Sequence, residues 1–236
     1  MKMALIGTGK MGRMIESLAT LKGHEIVETY WDVRPLKSDA PTRNRLKDVS
    51  VLIDFSTAEA VPGNVQAAAE MRIPLVEGTT GWQDRLGEVE SAVRQSGIGF
   101  VYASNFSIGV NLFYRIIEKA GTVFSSFEQY DPFIEESHHK FKKDAPSGTA
   151  LEMEKLLKKS YPSKSIPVSS VRAGYIPGEH SVGFDSSVDT VRLIHTARGR
   201  EGLAEGALLA SSWIAGKTGF FQFKDVLDQI LSENAQ

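Results

Sequence analysis

The sequence predicts an α/β chain in two parts: a parallel sheet flanked by helices, then an α+β domain built on a mixed sheet. Three observations carry this expectation. Short apolar runs alternate with helix-spaced segments as far as Phe106. A glycine-rich loop joins the first strand to the first helix. Beyond Phe106, strand-like segments follow one another with few helices between them. Alternating β and α implies crossover helices over a parallel sheet, whereas strands in succession imply mixed or antiparallel pairing.

Taken in order, Met3-Ala4-Leu5-Ile6 reads as a strand, and Met14, Ile15, Leu18, Ala19 and Leu21 have helical spacing. Glu25 to Tyr30 and Val49 to Phe55 are further strands. The alanine-rich segment Val65 to Met71 is helical. Pro74 to Glu77 and Ile98 to Tyr102 are strands separated by another helical stretch. A helix follows from about Val110 to Gly121. Phe127 to Glu136, Val168 to Arg172, His180 to Phe184 and Val188 to Thr196 read as strands, interrupted by a helix near Thr149 to Lys159. Glu205 to Ala215 and Lys224 to Leu231 are helical, and the last returns to the first domain. The expected boundaries are 1–106 with 217–236 for the first domain and 107–216 for the second.

Composition narrows the function. Apolar residues make up 42% and charged residues 24% of 236 residues, as in an ordinary globular enzyme. A net charge of -2 gives no basic field for nucleic acid. The absence of cysteine removes disulfides, thiolate metal sites and thiol nucleophiles, and fits a reducing compartment. No apolar run reaches the length of a membrane span, and the N-terminal apolar stretch is too short for a signal peptide. The expected location is the cytoplasm. No histidine pair has zinc-ligand spacing with a third ligand in view, so no metal is expected. His24 reads as a turn residue and His195 as a strand residue; His180 is either structural or lines the site.

Gly7-Thr8-Gly9-Lys10-Met11-Gly12 matches G-x-G-x-x-G between a strand and a helix. Glycines there permit a tight turn and close approach to a pyrophosphate, and the helix offers unpaired N–H groups. Asp32 ends the second strand twenty positions after Gly12, suited to a ribose hydroxyl pair. The first domain is therefore Rossmann-like and dinucleotide-binding. Asp32 favours NADH by repelling a 2′-phosphate; Arg34, two residues on, suits NADPH, and both cofactors stay open. Gly78-Thr79-Thr80-Gly81 and Ala103-Ser104-Asn105-Phe106 follow later strands, where the sheet edge should meet nicotinamide and substrate. The same residue types also make ordinary turns.

The segment Glu136-Ser137-His138-His139-Lys140-Phe141-Lys142-Lys143-Asp144-Ala145-Pro146-Ser147-Gly148-Thr149-Ala150 is the most informative. Alternation puts His138 and His139 on opposite faces unless the strand ends there. Gly148 and Thr149 open a helix whose N–H groups suit a carboxylate, and Lys142 and His139 add cationic donors. Together they suit a small dicarboxylate. His138 can exchange a proton near neutral pH.

At these residues the chain resembles the dihydrodipicolinate reductase family, also called 4-hydroxy-tetrahydrodipicolinate reductase. The likeness extends to Met11-Gly12-Arg13, Gly78-Thr79-Thr80-Gly81, Asn105-Phe106-Ser107-x-Gly109-Val110-Asn111 and Arg172-Ala173-Gly174-x-Ile176-x-Gly178-Glu179-His180. The resemblance implies nicotinamide-dependent reduction of 4-hydroxy-tetrahydrodipicolinate with release of water. It implies His138 as general acid/base and Lys142 as proton donor. It also implies that Thr80, His139, Lys142, Gly148 and Thr149 hold the substrate, and that the cofactor lies on Gly7 to Gly12, Asp32, Gly78 to Thr80 and Ala103 to Phe106. A homotetramer built through the second domain's sheet is implied too. The chain departs from longer members by a compressed segment after Asp32, a glycine loop one residue shorter, and Lys10 where they often have arginine. Lys140 and Phe141 also replace residues that are commonly basic.

Two other readings compete. Another Rossmann-type dehydrogenase leaves the His-His segment unexplained, and a short-chain dehydrogenase lacks its Tyr-x-x-x-Lys pair here. A nicotinamide-sensing protein without turnover is expected to have lost His138 or Lys142, and both are present.

Overall fold

The computed structural model describes residues 1–233 of the chain. The elements run β1 (Lys2–Ile6), α1 (Lys10–Leu21), β2 (Glu25–Tyr30), α2 (Ala40–Arg45), β3 (Val51–Asp54), α3 (Val61–Met71), β4 (Leu75–Glu77), α4 (Leu86–Ser96) and β5 (Gly99–Tyr102). Then come α5 (Ile108–Phe124), β6 (Asp131–His138), α6 (Gly148–Ser160), β7 (Val168–Arg172), β8 (Glu179–Asp185), β9 (Thr190–Thr196), α7 (Glu201–Ile214), β10 (Gly219–Gln222) and α8 (Phe223–Glu233). The chain divides into two compact units, Met1–Ile108 with Glu201–Gln236, and Gly109–Arg200. Among the described residues no helix is long and apolar enough to cross a membrane.

The first unit is a six-stranded parallel sheet in the order β10-β5-β4-β3-β1-β2. Alternation along each strand feeds two cores. Met3, Leu5, Val51 and Ile53 pack with Ile15 and Ala19 of α1 and with α7 and α8. Ala4, Ile6 and Leu52 face the other way, onto Val61, Val65, Val89 and Val93 of α3 and α4. The strand order reverses beside β1, so the turns after β1 and β3 border the crevice where such sheets take ligands.

The second unit is a mixed sheet ordered β7-β6-β8-β9, with β6 and β7 parallel and the other pairs antiparallel. Ile134, Val182 and Phe184 pack under Phe113 and Ile117 of α5 and Ala150, Met153 and Leu157 of α6.

Three differences from the sequence reading have physical causes. The helix Glu201–Ile214, grouped above with the second domain, belongs to the first unit. It is buried nearly all round, and Gly206 lies so near the chain that a Cβ would meet the Phe106 carbonyl at 1.7 Å. A helix that apolar must sit against a sheet face. The edge strand Gly219–Gln222 is too short to show a period, and α2 falls in a polar segment held by its Asp39 cap on Thr42 N–H at 2.9 Å. Positions 234–236 of the expected 217–236 segment lie outside the described residues.

Candidate functional site

The glycine loop of the first unit is built to keep side chains away. Gly7 has φ +101°, and a Cβ there would lie 2.4 Å from the Phe55 carbonyl oxygen. A Cβ on Gly12 would lie 2.0 Å from the Gly7 oxygen, so the helix can pack on the turn only with glycine. Around Gly9 a Cβ would meet nothing within 4 Å. Gly9 precedes α1, whose first turn has no side-chain cap and no acid. Its free N–H groups and positive end therefore face open space over Gly9, which fits a pyrophosphate. Thr8 and Lys10 are exposed beside it, and Met11 is half-buried.

Asp32 lies two residues beyond β2, not at the strand's end. It sits in a tight turn closed by Trp31 and Arg34, whose backbones bond at 3.0 and 2.9 Å. The turn forms because the chain must reverse at once to bury Leu36. Asp32 is exposed. Arg34 is engaged: Nη1 meets Glu28 Oε1 at 2.8 Å, and the guanidinium lies over the Tyr30 and Trp31 rings at 5.5 and 5.8 Å.

The later turns divide their residues between two tasks. Thr79 is buried; its hydroxyl accepts from Ser56 N–H at 3.1 Å. Thr80 is exposed. A Cβ on Gly78 would strike the Phe55 ring at 2.2 Å. Ser104 is exposed, Ala103 and Asn105 are half-buried, and Asn105 Oδ1 accepts from Ser107 N–H at 2.8 Å. Phe106 is 1% exposed and packs on Phe55 and Phe223, with ring centroids 6.1 and 4.9 Å away. Its ring is core, so only its backbone is offered to a ligand.

In the second unit, β6 ends at His138, which resolves the alternation problem. Glu136 and His138 share the buried face, and His139 starts the turn. Glu136 Oε2 accepts from His138 Nδ1. Arg172, paired with His138 across β7, grips both Glu136 oxygens at 3.0 and 2.6 Å and also bonds the Asp144 carbonyl at 2.6 Å. Burial opposes the Glu136 charge, but hydrogen bonds from Arg172, Ser170 and His138 prevail and hold its carboxyl down at about 2. Burial lowers His138 below its ordinary value; Glu136 opposes this, while Lys142 and Arg172 add to it. His138 Nε2 faces Gly178, where a Cβ would stand 3.2 Å away at φ +145°. Gly178 thus leaves that nitrogen room to work.

The turn 139–147 then leads into α6. Lys142 Nζ meets Asp144 Oδ1 at 2.8 Å, and its backbone N–H reaches the His139 carbonyl at 3.1 Å. Ser147 caps α6 by accepting from Ala150 N–H at 3.2 Å. Its own N–H donates to Glu136 Oε1 at 3.3 Å, and its Oγ lies 3.1 Å from His180 Nε2. The Gly148 and Thr149 N–H groups begin a helix without acids in its first turn, and a Cβ on Gly148 would meet nothing within 4 Å. Such a helix start suits an anion. Ser147 ties it to Glu136, the partner of His138.

Comparison with known proteins identifies the family. Residues 1–106 match the family profile described as dihydrodipicolinate reductase, N-terminus, and residues 109–227 match that described as dihydrodipicolinate reductase, C-terminus. The chain belongs to the dihydrodipicolinate reductase family. It is 36% identical to the 4-hydroxy-tetrahydrodipicolinate reductase of Christiangramia forsetii, over 98% of this chain and 99% of that one. Identity to the protein of the same name from Archaeoglobus fulgidus is 34%, over 97% and 100%. The fold is similar to that of the dipicolinate-bound dihydrodipicolinate reductase from Paenisporosarcina sp. TG-14, with TM-score 0.80, 21% identity, and 95% and 98% of the two chains covered.

In this member of the dihydrodipicolinate reductase family, the second unit carries His138 at the end of β6, His139 and Lys142 on the turn that follows, and Gly148 and Thr149 at the start of α6. Thr80 belongs to the first unit. Sequence reasoning assigned no role to Glu136, Arg172 or Tyr114. Tyr114 hydrogen-bonds Thr149 and is pushed up to about 12, chiefly by burial. The signal available for Glu136 was its i, i+2 spacing from His138 on a strand. Glu136, His138 and His180 hold ligand atoms within 4.8 Å of one another. Arg172 already occupies both Glu136 oxygens, so the positive charge this cluster needs is present without an ion.

The cluster has a stability signature. Burial foremost, then His138, lowers His180 from 6.5 to about 4. Between those values the unfolded chain binds a proton that the folded chain refuses, so stability falls as pH falls through that window. Glu136, lowered from 4.5 to about 2, extends the loss to lower pH, because its folded carboxylate resists the proton that the unfolded one accepts. In urea titrations at stepped pH, His180→Gln is expected to flatten the upper window by up to about 1.4 kcal/mol per pH unit. An unchanged slope between pH 6.5 and 4 would show that His180 is not the group responsible.

Proposed function

We propose that this chain reduces 4-hydroxy-tetrahydrodipicolinate to tetrahydrodipicolinate with release of water, in lysine and diaminopimelate synthesis. The reductant is NADH or NADPH. The observation that carries this reading is the buried Glu136–His138 pair joined through Ser147 to the anion cradle at Gly148 and Thr149. It places a proton-exchanging group next to a site for carboxylate.

The glycine loop, Gly7 to Gly12, is assigned the pyrophosphate, and Asp32 the adenosine ribose. Gly78, Thr79, Thr80 and Ala103 to Phe106 border the nicotinamide, chiefly through backbone. When bound, the nicotinamide supplies the hydride. Glu136 keeps its charge and accepts a hydrogen bond from His138 Nδ1–H, so His138 presents Nε2 as the working atom. Hydride addition builds negative charge on a conjugated ring, and a proton from His138 Nε2 or Lys142 Nζ quenches it. One hydride and one proton enter, and one water leaves. A dianionic substrate also raises the His138 proton affinity, which burial keeps low. His139, Lys142, Gly148 and Thr149 hold the carboxylates; Lys142 exchanges Asp144 for the substrate to do so.

NADH is the better partner of the two. A 2′-phosphate would meet the exposed Asp32 carboxylate, while Arg34 is already paired with Glu28 and stacked on two rings. Asp32→Ala is expected to raise the NADPH to NADH ratio of kcat/KM by about tenfold, the size of one lost charge repulsion. A fixed ratio would remove Asp32 from the ribose site.

We also assign the enzyme to the cytoplasm and to a homotetramer, with no nucleic-acid or membrane partner. The outer face of the second sheet supports assembly, since Val171 and Ile194 are exposed there, opposite the face that α5 and α6 cover. The direct test is nicotinamide oxidation by the purified protein, with substrate made in place by the synthase that condenses pyruvate and aspartate semialdehyde. Synthase-dependent oxidation supports the reaction and ranks the cofactors. Tight cofactor binding without turnover would favour the sensor.

A further inference from the structure

Two buried acids lie beneath the turns of the first unit, and no step above uses them. Asp54 ends β3 and Glu77 ends β4, and the parallel register sets them side by side with no exposed surface on either. Paired positions leave a sheet on the same face. Asp54 accepts from Ser56 N–H at 2.8 Å and from Asn64 Nδ2 at 2.7 Å. Glu77 Oε1 accepts from Thr79 N–H at 2.7 Å. Ser56 N–H also reaches Thr79 Oγ1 at 3.1 Å, and the Trp82 indole N–H holds the Thr79 carbonyl at 2.9 Å. The two acids therefore clamp the turn after β3 to the turn after β4.

The second Glu77 oxygen, Oε2, is buried with no hydrogen-bond partner among the described residues, and the Asp54 carboxyl interacts with Glu77 from the neighbouring strand. Among the described residues, the groups that hydrogen-bond the pair are Ser56, Asn64 and Thr79, all neutral. Two carboxylates side by side without a cation in a dry core repel, and a proton between them turns repulsion into a hydrogen bond.

We propose that Asp54 and Glu77 form a singly protonated acid pair that positions the turns 55–56 and 78–80 for the nicotinamide end of the cofactor. This rests on the reading that those turns hold the nucleotide. Burial, and then the Asp54 charge, push the Glu77 carboxyl well above its ordinary range, in keeping with a retained proton. Neither acid touches substrate or cofactor in this scheme, so both are positioning residues.

The test uses NADH and ADP-ribose, which keeps the adenosine and pyrophosphate but lacks the nicotinamide. Both are titrated against wild type, Glu77→Gln and Glu77→Met. The methionine variant loses the bond to Thr79 N–H and is expected to bind NADH about tenfold more weakly, with ADP-ribose unchanged. The glutamine variant needs no proton to bond Asp54 and is expected to bind NADH like wild type. Wild type at neutral pH is expected to show the infrared band of a protonated carboxyl, and the glutamine variant to lose it. This band and the near-isosteric glutamine variant decide the matter even if the methionine variant does not fold. An NADH affinity unchanged by methionine, an equal loss for ADP-ribose, or no band in wild type would overturn the proposal. If wild type binds neither ligand, the nucleotide reading fails; the band alone then decides whether the pair shares a proton.

Discussion

His138→Gln is expected to lower kcat by about 10²–10⁴-fold, the usual span for losing a positioned proton donor or acceptor. Glutamine can still bond Glu136 through its amide, so the strand end and the anion cradle stay in place. It cannot cycle a proton at the position of Nε2. NADH affinity is expected to stay unchanged, because the turns proposed to hold the nucleotide belong to the other unit. Single-turnover nicotinamide oxidation, with NADH binding followed by fluorescence, separates the two quantities. Near-normal turnover would remove His138 from proton transfer.

The second large effect is expected at Arg172. Its guanidinium meets both Glu136 oxygens, and its side chain is 17% exposed against 0% for Glu136. Arg172→Met strands a buried carboxylate, and breaking a buried pair by one partner costs about 3–5 kcal/mol. Arg172→Lys is not expected to recover the loss, because a point charge cannot grip two oxygens in a fork. The double variant Arg172→Met with Glu136→Leu is expected to regain stability but not turnover, since His138 Nδ1 then has no acceptor. Urea unfolding and kcat on the three proteins test this. A stable Arg172→Met single variant would mean that the pair contributes little.

Sequence legibility followed local chemistry. Met3 to Ile6 and the glycines after it could be read because β alternation and the steric demand at Gly7 and Gly12 are short-range. His138, Lys142 and Thr149 could be found because one segment carries them all. Arg172 gave no such sign, since its partner lies 36 positions away and only the β6–β7 register joins them. Thr79 and Phe106 looked like ligand contacts from their turns, yet their side chains face Ser56 and the aromatic core. Composition cannot tell which way a turn residue points. Arg34 looked free beside Asp32, but Glu28 sits on the preceding strand and takes its charge.

The placement of α7 and β10 bears on how the molecule is made. The second unit is one unbroken stretch, Gly109–Arg200, whereas the first is interrupted by it and closes only with residues from Glu201 onward. During synthesis the inserted stretch emerges whole before its host can be finished. Until α7 and β10 emerge, Met3, Leu5, Ile53 and Val101 lack one of the helices that pack on them, and β5 has an unpaired edge. A nascent chain halted near Arg200 would thus carry a completed second unit on a host with a partly bare apolar face, the kind of surface that draws chaperones and promotes aggregation.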